Sequence, residues 1–250
     1  MQTPGCLAVV PVDVDVDVDD LTAPLRCAAL RELRHRPLLL WAVSALQSSG
    51  IPREVVVAVP PALAEAVARI LPVAEVPVEV LPVQAEGPGH RLLGALRARP
   101  VSGDGHAAGD AQVVVVHDPL HPLSSAALVR DVVRDLLADP RRAASVPASS
   151  VTDTLKWVDE DGVVLGTADR EAYRTVYSPQ AYRRVALQDA LAGAGDVALR
   201  ARGCEVLPQL VRACGGAVSL VPSAVEPLRV AGEEDVLLAE ALMQVAEGGA

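Results

Sequence analysis

Four consecutive valines, Val113–Val116, run directly into His117-Asp118. A β-branched run that is apolar on both faces suits a strand buried between two layers. Similar runs recur at Cys6–Val12, Glu54–Val59 and Val78–Val83, and segments of helical spacing stand between them. Pro37–Gln47 predicts a helix that stops at Ser48-Ser49-Gly50, and Pro61–Leu71 predicts one opened by proline. Gly87-Pro88-Gly89 reads as a turn before a helix at Arg91–Arg97, and a further helix is expected over Ser125–Ala138. This alternation predicts an α/β fold with a mostly parallel sheet and helices on both faces. Ligands bind such sheets at the carboxyl ends of the strands, so the loops after Val10, Val59, Val83 and Val116 are the candidate site.

The pattern changes between Ser145 and Val176. Val151–Trp157, Val163–Gly166 and Tyr173–Val176 predict short strands, the first two joined by the turn Asp159–Gly162. A strand pair projecting from an α/β body predicts a dimerisation β-arm at about 148–177. Strand Ala217–Val221 and helix Glu233–Val245 then return to the earlier pattern. Ser102–Asp110 reads as a surface loop. No repeat or composition break divides the chain, so residues 1–250 are expected to form a single domain.

Half the residues are apolar (51%), yet no apolar stretch reaches eighteen residues, so no transmembrane helix is expected. The apolar run near Met1 lacks a preceding basic region, which argues against a secretory signal. Cys6, Cys27, Cys204 and Cys214 are scattered without CxxC spacing, which argues against structural zinc and for a reduced, cytoplasmic setting. A net charge of −10 argues against nucleic acid and anionic membranes as partners. It leaves room for a small anion held by a few arginines. Lys156 is the sole lysine, so arginine or alanine is expected where a relative would carry lysine.

Asp118, at the end of a buried strand, is placed to hold Mg²⁺ near phosphate oxygens, although polar residues also simply end strands. Downstream come Thr152-Asp153-Thr154-Leu155-Lys156, Gly166-Thr167-Ala168-Asp169-Arg170 and Tyr177-Ser178-Pro179-Gln180. Each is weak alone. In this order, the chain resembles the 2-C-methyl-D-erythritol 4-phosphate cytidylyltransferases, which carry a His-Asp pair after a buried strand, then DT-x-K, T-x-x-R and TPQ elements. The resemblance implies a Rossmann-like nucleotidyltransferase domain. It also implies a reaction in which a sugar-phosphate oxygen attacks the α-phosphate of CTP and releases pyrophosphate, with Mg²⁺ as cofactor. By the same carry-over, Asp118 is catalytic and metal-binding. Thr154, Arg170 and Ser178 hold methylerythritol phosphate, Arg170 reaching across a dimer. Arg229 falls where the family has a lysine facing the substrate phosphate.

The chain departs from the family where the triphosphate should sit. The family's first strand leads into a glycine-rich loop bearing an arginine and a lysine, whose backbone N–H groups and cations cradle phosphates. Here Pro11 and Val12 lead into Asp13, Asp15, Asp17, Asp19 and Asp20, alternating with valine, and no glycine occurs between Gly5 and Gly50. Such a loop should repel CTP. It reads as a solvated loop, and its spacing does not match an EF-hand. Arg26 or Ala28 falls nearest the family's loop lysine. His121 replaces the arginine that closes the HDAAR-type motif. The loop that reads cytosine appears as Glu86-Gly87-Pro88-Gly89-His90-Arg91, with Arg91 where a serine would stand. These substitutions predict a homologue with impaired or altered catalysis. The alternatives are a non-catalytic subunit forming a heterodimer with an active relative, and a nucleotidyltransferase for another sugar phosphate or nucleotide.

Overall fold

The computed structural model describes residues 5–14, 27–71, 75–99, 111–223 and 228–248. In chain order, strand β1 (Gly5–Pro11) is followed by a hairpin of β2 (Glu32–Leu33) and β3 (Arg36–Pro37), then helix α1 (Leu38–Ser49). Next come β4 (Glu54–Val59), α2 (Ala64–Ile70), β5 (Val78–Pro82), α3 (Pro88–Ala98), β6 (Ala111–Val116) and α4 (Ala126–Ala138). The middle is mostly strand, with β7 (Arg142–Ser150), β8 (Lys156–Val158), β9 (Val164–Thr167), β10 (Arg174–Val176) and β11 (Gln180–Arg183). Helices α5 (Arg184–Gly193), α6 (Asp196–Arg200) and α7 (Leu207–Ala213), strand β12 (Ala217–Pro222) and helix α8 (Glu233–Gly248) complete it.

Among the described residues the central sheet has eight strands. β6, β1, β4 and β5 lie parallel side by side, and β11 pairs antiparallel to β6. β7 carries β11 and β10 antiparallel along one edge and β12 parallel along the other. The expected α/β sheet, mostly parallel, is thus observed.

Strand periodicity explains the two-sided cover. Cys6, Ala8 and Val10 of β1, with Val113 and Val115 of β6, pack with α1, α2 and α4. Leu7 and Val9, with Val114 and Val116, pack with α3, α5 and α7 on the opposite face. Alternate side chains of one strand point to opposite faces, so each valine run feeds two cores. Caps agree with the helix limits: α1 ends on Gly50 at φ 67°, and the Ser125 hydroxyl accepts the Leu128 N–H at 3.1 Å at the start of α4.

Three expectations are corrected. Gly87-Pro88-Gly89 is no turn: Gly87 caps α3 and Pro88 is its first residue. The expected strand Val151–Trp157 is confined to Lys156–Val158. Strands β7 and β11 arise where no strand was expected, since Ala, Ser and Pro in Arg142–Ser150 give a weak β signal that burial between neighbours overrides. The loop Ser102–Asp110 lies outside the described residues.

The β2–β3 hairpin was also unread. Its turn residues Arg34 and His35 both sit at positive φ, 51° and 59°. Two-residue hairpins with both centres left-handed favour Asn-Gly, and non-glycine residues there are strained. The Arg34–Glu247 ion pair is largely exposed and offsets little. Replacing Arg34 by Asn together with His35 by Gly is expected to stabilise the protein by about 1 kcal/mol, a melting rise of about 2–4 °C.

Candidate active site

Asp118 is the second residue after β6, at the carboxyl edge of the sheet, and the preceding His117 N–H donates to Val9 O of β1 at 3.0 Å. The side chain of Asp118 is buried. Its Oδ1 accepts the Leu120 N–H at 2.9 Å, and its Oδ2 lies 3.4 Å from Arg229 Nε. Beneath it, Ser178 Oγ accepts the Asp118 N–H at 2.7 Å and lies 3.1 Å from His117 Nδ1. Ser178 is 1% exposed, so it braces the His117–Asp118 corner from behind. His121 is also buried, its Nδ1 3.7 Å from Asp118 Oδ2 and so outside hydrogen-bond reach. Burial pushes the His117 imidazole down to about 3 and lowers that of His121, so both rings are neutral around Asp118 at physiological pH.

Arg229, which precedes α8, stands between two carboxylates. Glu205 Oε1 lies 3.5 Å from Arg229 Nε. Burial raises the Glu205 carboxyl, with the nearby Asp118 charge adding to the effect and Arg229 opposing it. The sequence had not singled out Glu205. Its one local signal is Gly203, which sits at φ 82° where the chain turns before α7. A Cβ at Gly203 would collide with the Glu205 carboxylate. Gly203→Ala therefore combines backbone strain with displacement of Glu205 from Arg229. It is expected to cost about 2 kcal/mol, read as a lower urea midpoint at unchanged slope.

Asp118 and Arg229 line one pocket together with Pro11, Asp13, Ala28, Pro88 and Arg202. Its volume of about 60 Å³ holds a few waters. Of the residues expected to meet the nucleotide, Pro11 faces this pocket. Val12 does not: its side chain is fully buried in the core and its N–H donates to Ala58 O at 2.8 Å, continuing the sheet pairing. Ala28, at the start of a short 3₁₀ turn, lines the pocket, whereas Arg26 lies outside the described residues, as do Asp15, Asp17, Asp19 and Asp20.

Glu86 is exposed and pairs with Arg200 of α6. Gly87 is packed so closely on α6 that a Cβ would meet Arg200 Cα at 2.6 Å, so its place is set by helix packing. Arg91 lies in the first turn of α3 and is 1% exposed. Its Nη1 donates to Ala85 O at 2.6 Å and its Nη2 forms an ion pair with Asp13. Burial lowers the guanidinium's pKa, and the Asp13 charge opposes that shift.

The arm residues sit elsewhere. Thr154 and Arg170 are exposed on the segment around β8 and β9, and Arg170 Nη1 donates to Thr152 O at 2.7 Å. Neither lines the pocket. Strands β8 and β9 form a separate two-stranded sheet on which Trp157, Val158, Val164 and Leu165 are more than half exposed. Among the described residues no helix is long and apolar enough to cross a membrane.

The family model described as 2-C-methyl-D-erythritol 4-phosphate cytidylyltransferase (IspD) matches residues 26–245. The enzyme of that name from Saccharopolyspora erythraea is 37% identical over 215 residues, covering 86% of this chain and 90% of the relative. The crystal structure of the Thermus thermophilus enzyme superposes with TM-score 0.68 at 26% identity, covering 95% of this chain and 98% of that one. The 4-diphosphocytidyl-2C-methyl-D-erythritol synthase of Anaerococcus prevotii shares the fold, with TM-score 0.74 at 16% identity over 97% of this chain and all of that one. The chain belongs to the 2-C-methyl-D-erythritol 4-phosphate cytidylyltransferase family.

Proposed function

We propose that this protein transfers CMP from CTP to methylerythritol phosphate at the Asp118–Arg229 pocket, at a rate reduced by the altered triphosphate loop. The observation that carries this is the Asp118–Arg229–Glu205 cluster at the carboxyl end of β6. In such a transfer the protein positions two anions and offsets their charge. Arg229 presents a cation to a phosphate, and the carboxylates of Asp118 and Glu205 orient it. Asp118 is fixed from below by Ser178 and from the side by the Leu120 N–H, so it keeps its position when Arg229 moves onto a phosphate.

Mg²⁺ fits this donor set in one way. Among the described residues no group of three or more His, Cys, Asp or Glu side chains is gathered for a metal. Mg²⁺ commonly takes one or two carboxylates and completes its shell with substrate phosphates and water, and Asp118 and Asp13 both line the pocket. When bound, the ion would neutralise phosphate charge.

The exposed apolar face of β8 and β9 supports a dimer made through the arm, in which Thr154 and Arg170 of one protomer reach the partner's pocket. With an intact relative, the same face would support a heterodimer. Cysteines that form no disulfide among the described residues fit a cytoplasmic setting.

The test is pyrophosphate release with CTP, Mg²⁺ and methylerythritol phosphate at high protein concentration. Slow turnover that requires both substrates is expected. Absence of turnover from the folded protein would overturn the reading.

A further inference from the structure

Two departures from the family pattern, 78 residues apart, are each other's partner: the first aspartate of the acidic loop and the arginine in the first turn of α3 form an ion pair. Arg91 is 1% exposed and donates also to Ala85 O, so it is a fixed, buried cation behind Asp13. Asp13 is the movable member. A third of its side chain remains exposed (32%), it lines the pocket beside Asp118, and it belongs to the loop leaving β1. Its Oδ1 also accepts the Val14 N–H at 3.0 Å, and its carbonyl accepts the Cys27 thiol at 3.3 Å.

A guanidinium fork that holds a carboxylate holds a phosphate by the same geometry. We propose that Asp13 is a self-ligand: its carboxylate occupies an anion subsite built on Arg91, and a nucleotide or inorganic polyphosphate binds there by displacing it. This rests on the reading that the carboxyl edge of β1 and β6 receives a nucleotide, and it adds a latch in that position. The acidic loop then does two opposite things. It repels the ligand's charge at a distance, and its first aspartate keeps the buried Arg91 neutralised until an anion replaces the carboxylate. The apparent affinity is reduced by the fraction of molecules in which Asp13 is seated.

The experiment is calorimetric titration of inorganic tripolyphosphate, and separately of CTP with Mg²⁺, into the full chain and its variants, each shown to be folded by its melting curve. Asp13→Asn is expected to tighten tripolyphosphate binding at least tenfold. Arg91→Gln in the Asp13→Asn background is expected to remove that gain. A gain that survives loss of Arg91 would mean that Asp13 acts by distant repulsion alone, and no gain at all would mean that it is no competitor. Either result overturns the latch.

Should burial of an unpaired guanidinium prevent Asp13→Asn from folding, hydrogen exchange on the unaltered protein decides. Saturation with tripolyphosphate is expected to speed exchange at the Val14 amide as Asp13 Oδ1 leaves it, and unchanged or slower exchange would overturn the proposal. If tripolyphosphate shows the Arg91-dependent gain while CTP binds no variant, the latch stands and the cytidylyl reading fails.

Discussion

Asp118→Asn is expected to lower kcat/KM for CMP transfer by about 10²–10³, the usual loss when one preorganised charged group is removed from such a site. The substitution is close to isosteric, and an amide oxygen can still accept the Leu120 N–H, so the corner between β6 and Ser178 keeps its shape. What changes is charge. Arg229 loses the carboxylate 3.4 Å away and retains only Glu205 at 3.5 Å, so it turns from the β6 edge toward α7. The phosphate that Arg229 should meet then lies on the wrong side of it, and any metal loses its best-fixed carboxylate. The loss should fall on kcat more than on KM, since ground-state binding draws on other cations, Arg202 among them. The check is steady-state pyrophosphate release beside a melting curve. A loss below about fivefold with an unchanged melting temperature would place the chemistry away from Asp118.

The sheet was legible because its central strands are valine runs, and a β-branched run apolar on both faces has few other homes. The helices beside those strands were legible from spacing and stop signals such as Gly50. What stayed hidden was hidden for particular reasons. Arg142–Ser150 is a central strand made of small residues, whose burial depends on the strands beside it. The β2–β3 turn uses Arg and His at positive φ, against the residue preference that marks such turns. The site divides likewise. Asp118 was legible from its place after a strand, and Arg229 from the family pattern. Glu205 was not, because a carboxylate that reaches Arg229 across a turn leaves no periodic trace. Asp13 and Arg91 each looked like a loss when read singly, and only the fold shows that they neutralise one another.

The choice between Arg26 and Ala28 as heir to the family's loop lysine leads to the last expectation. Ala28 opens the turn Ala28–Leu30 and lines the pocket with Asp13, Asp118 and Arg229. Its methyl group therefore occupies a wall where a cation would face both acidic residues and an incoming phosphate. The arginines lining the pocket, Arg202 and Arg229, belong to the chain beyond α6, so the wall after β1 contributes acid and no base among the described residues. Ala28→Lys restores that balance. At an effective dielectric near 20, a cation about 6 Å from a phosphate is worth roughly 2–3 kcal/mol. If about half of that is left after the ammonium is desolvated and ordered, kcat/KM for CTP rises about tenfold. The gain should grow in the Asp13→Asn background, where the new ammonium has one fewer carboxylate to pair with. The check is kcat/KM for CTP across the two single variants and the double. A rise in Ala28→Lys that grows in the double would identify the missing cation as the main defect. No rise in either, with melting temperatures unchanged, would mean that the acidic loop alone limits the reaction.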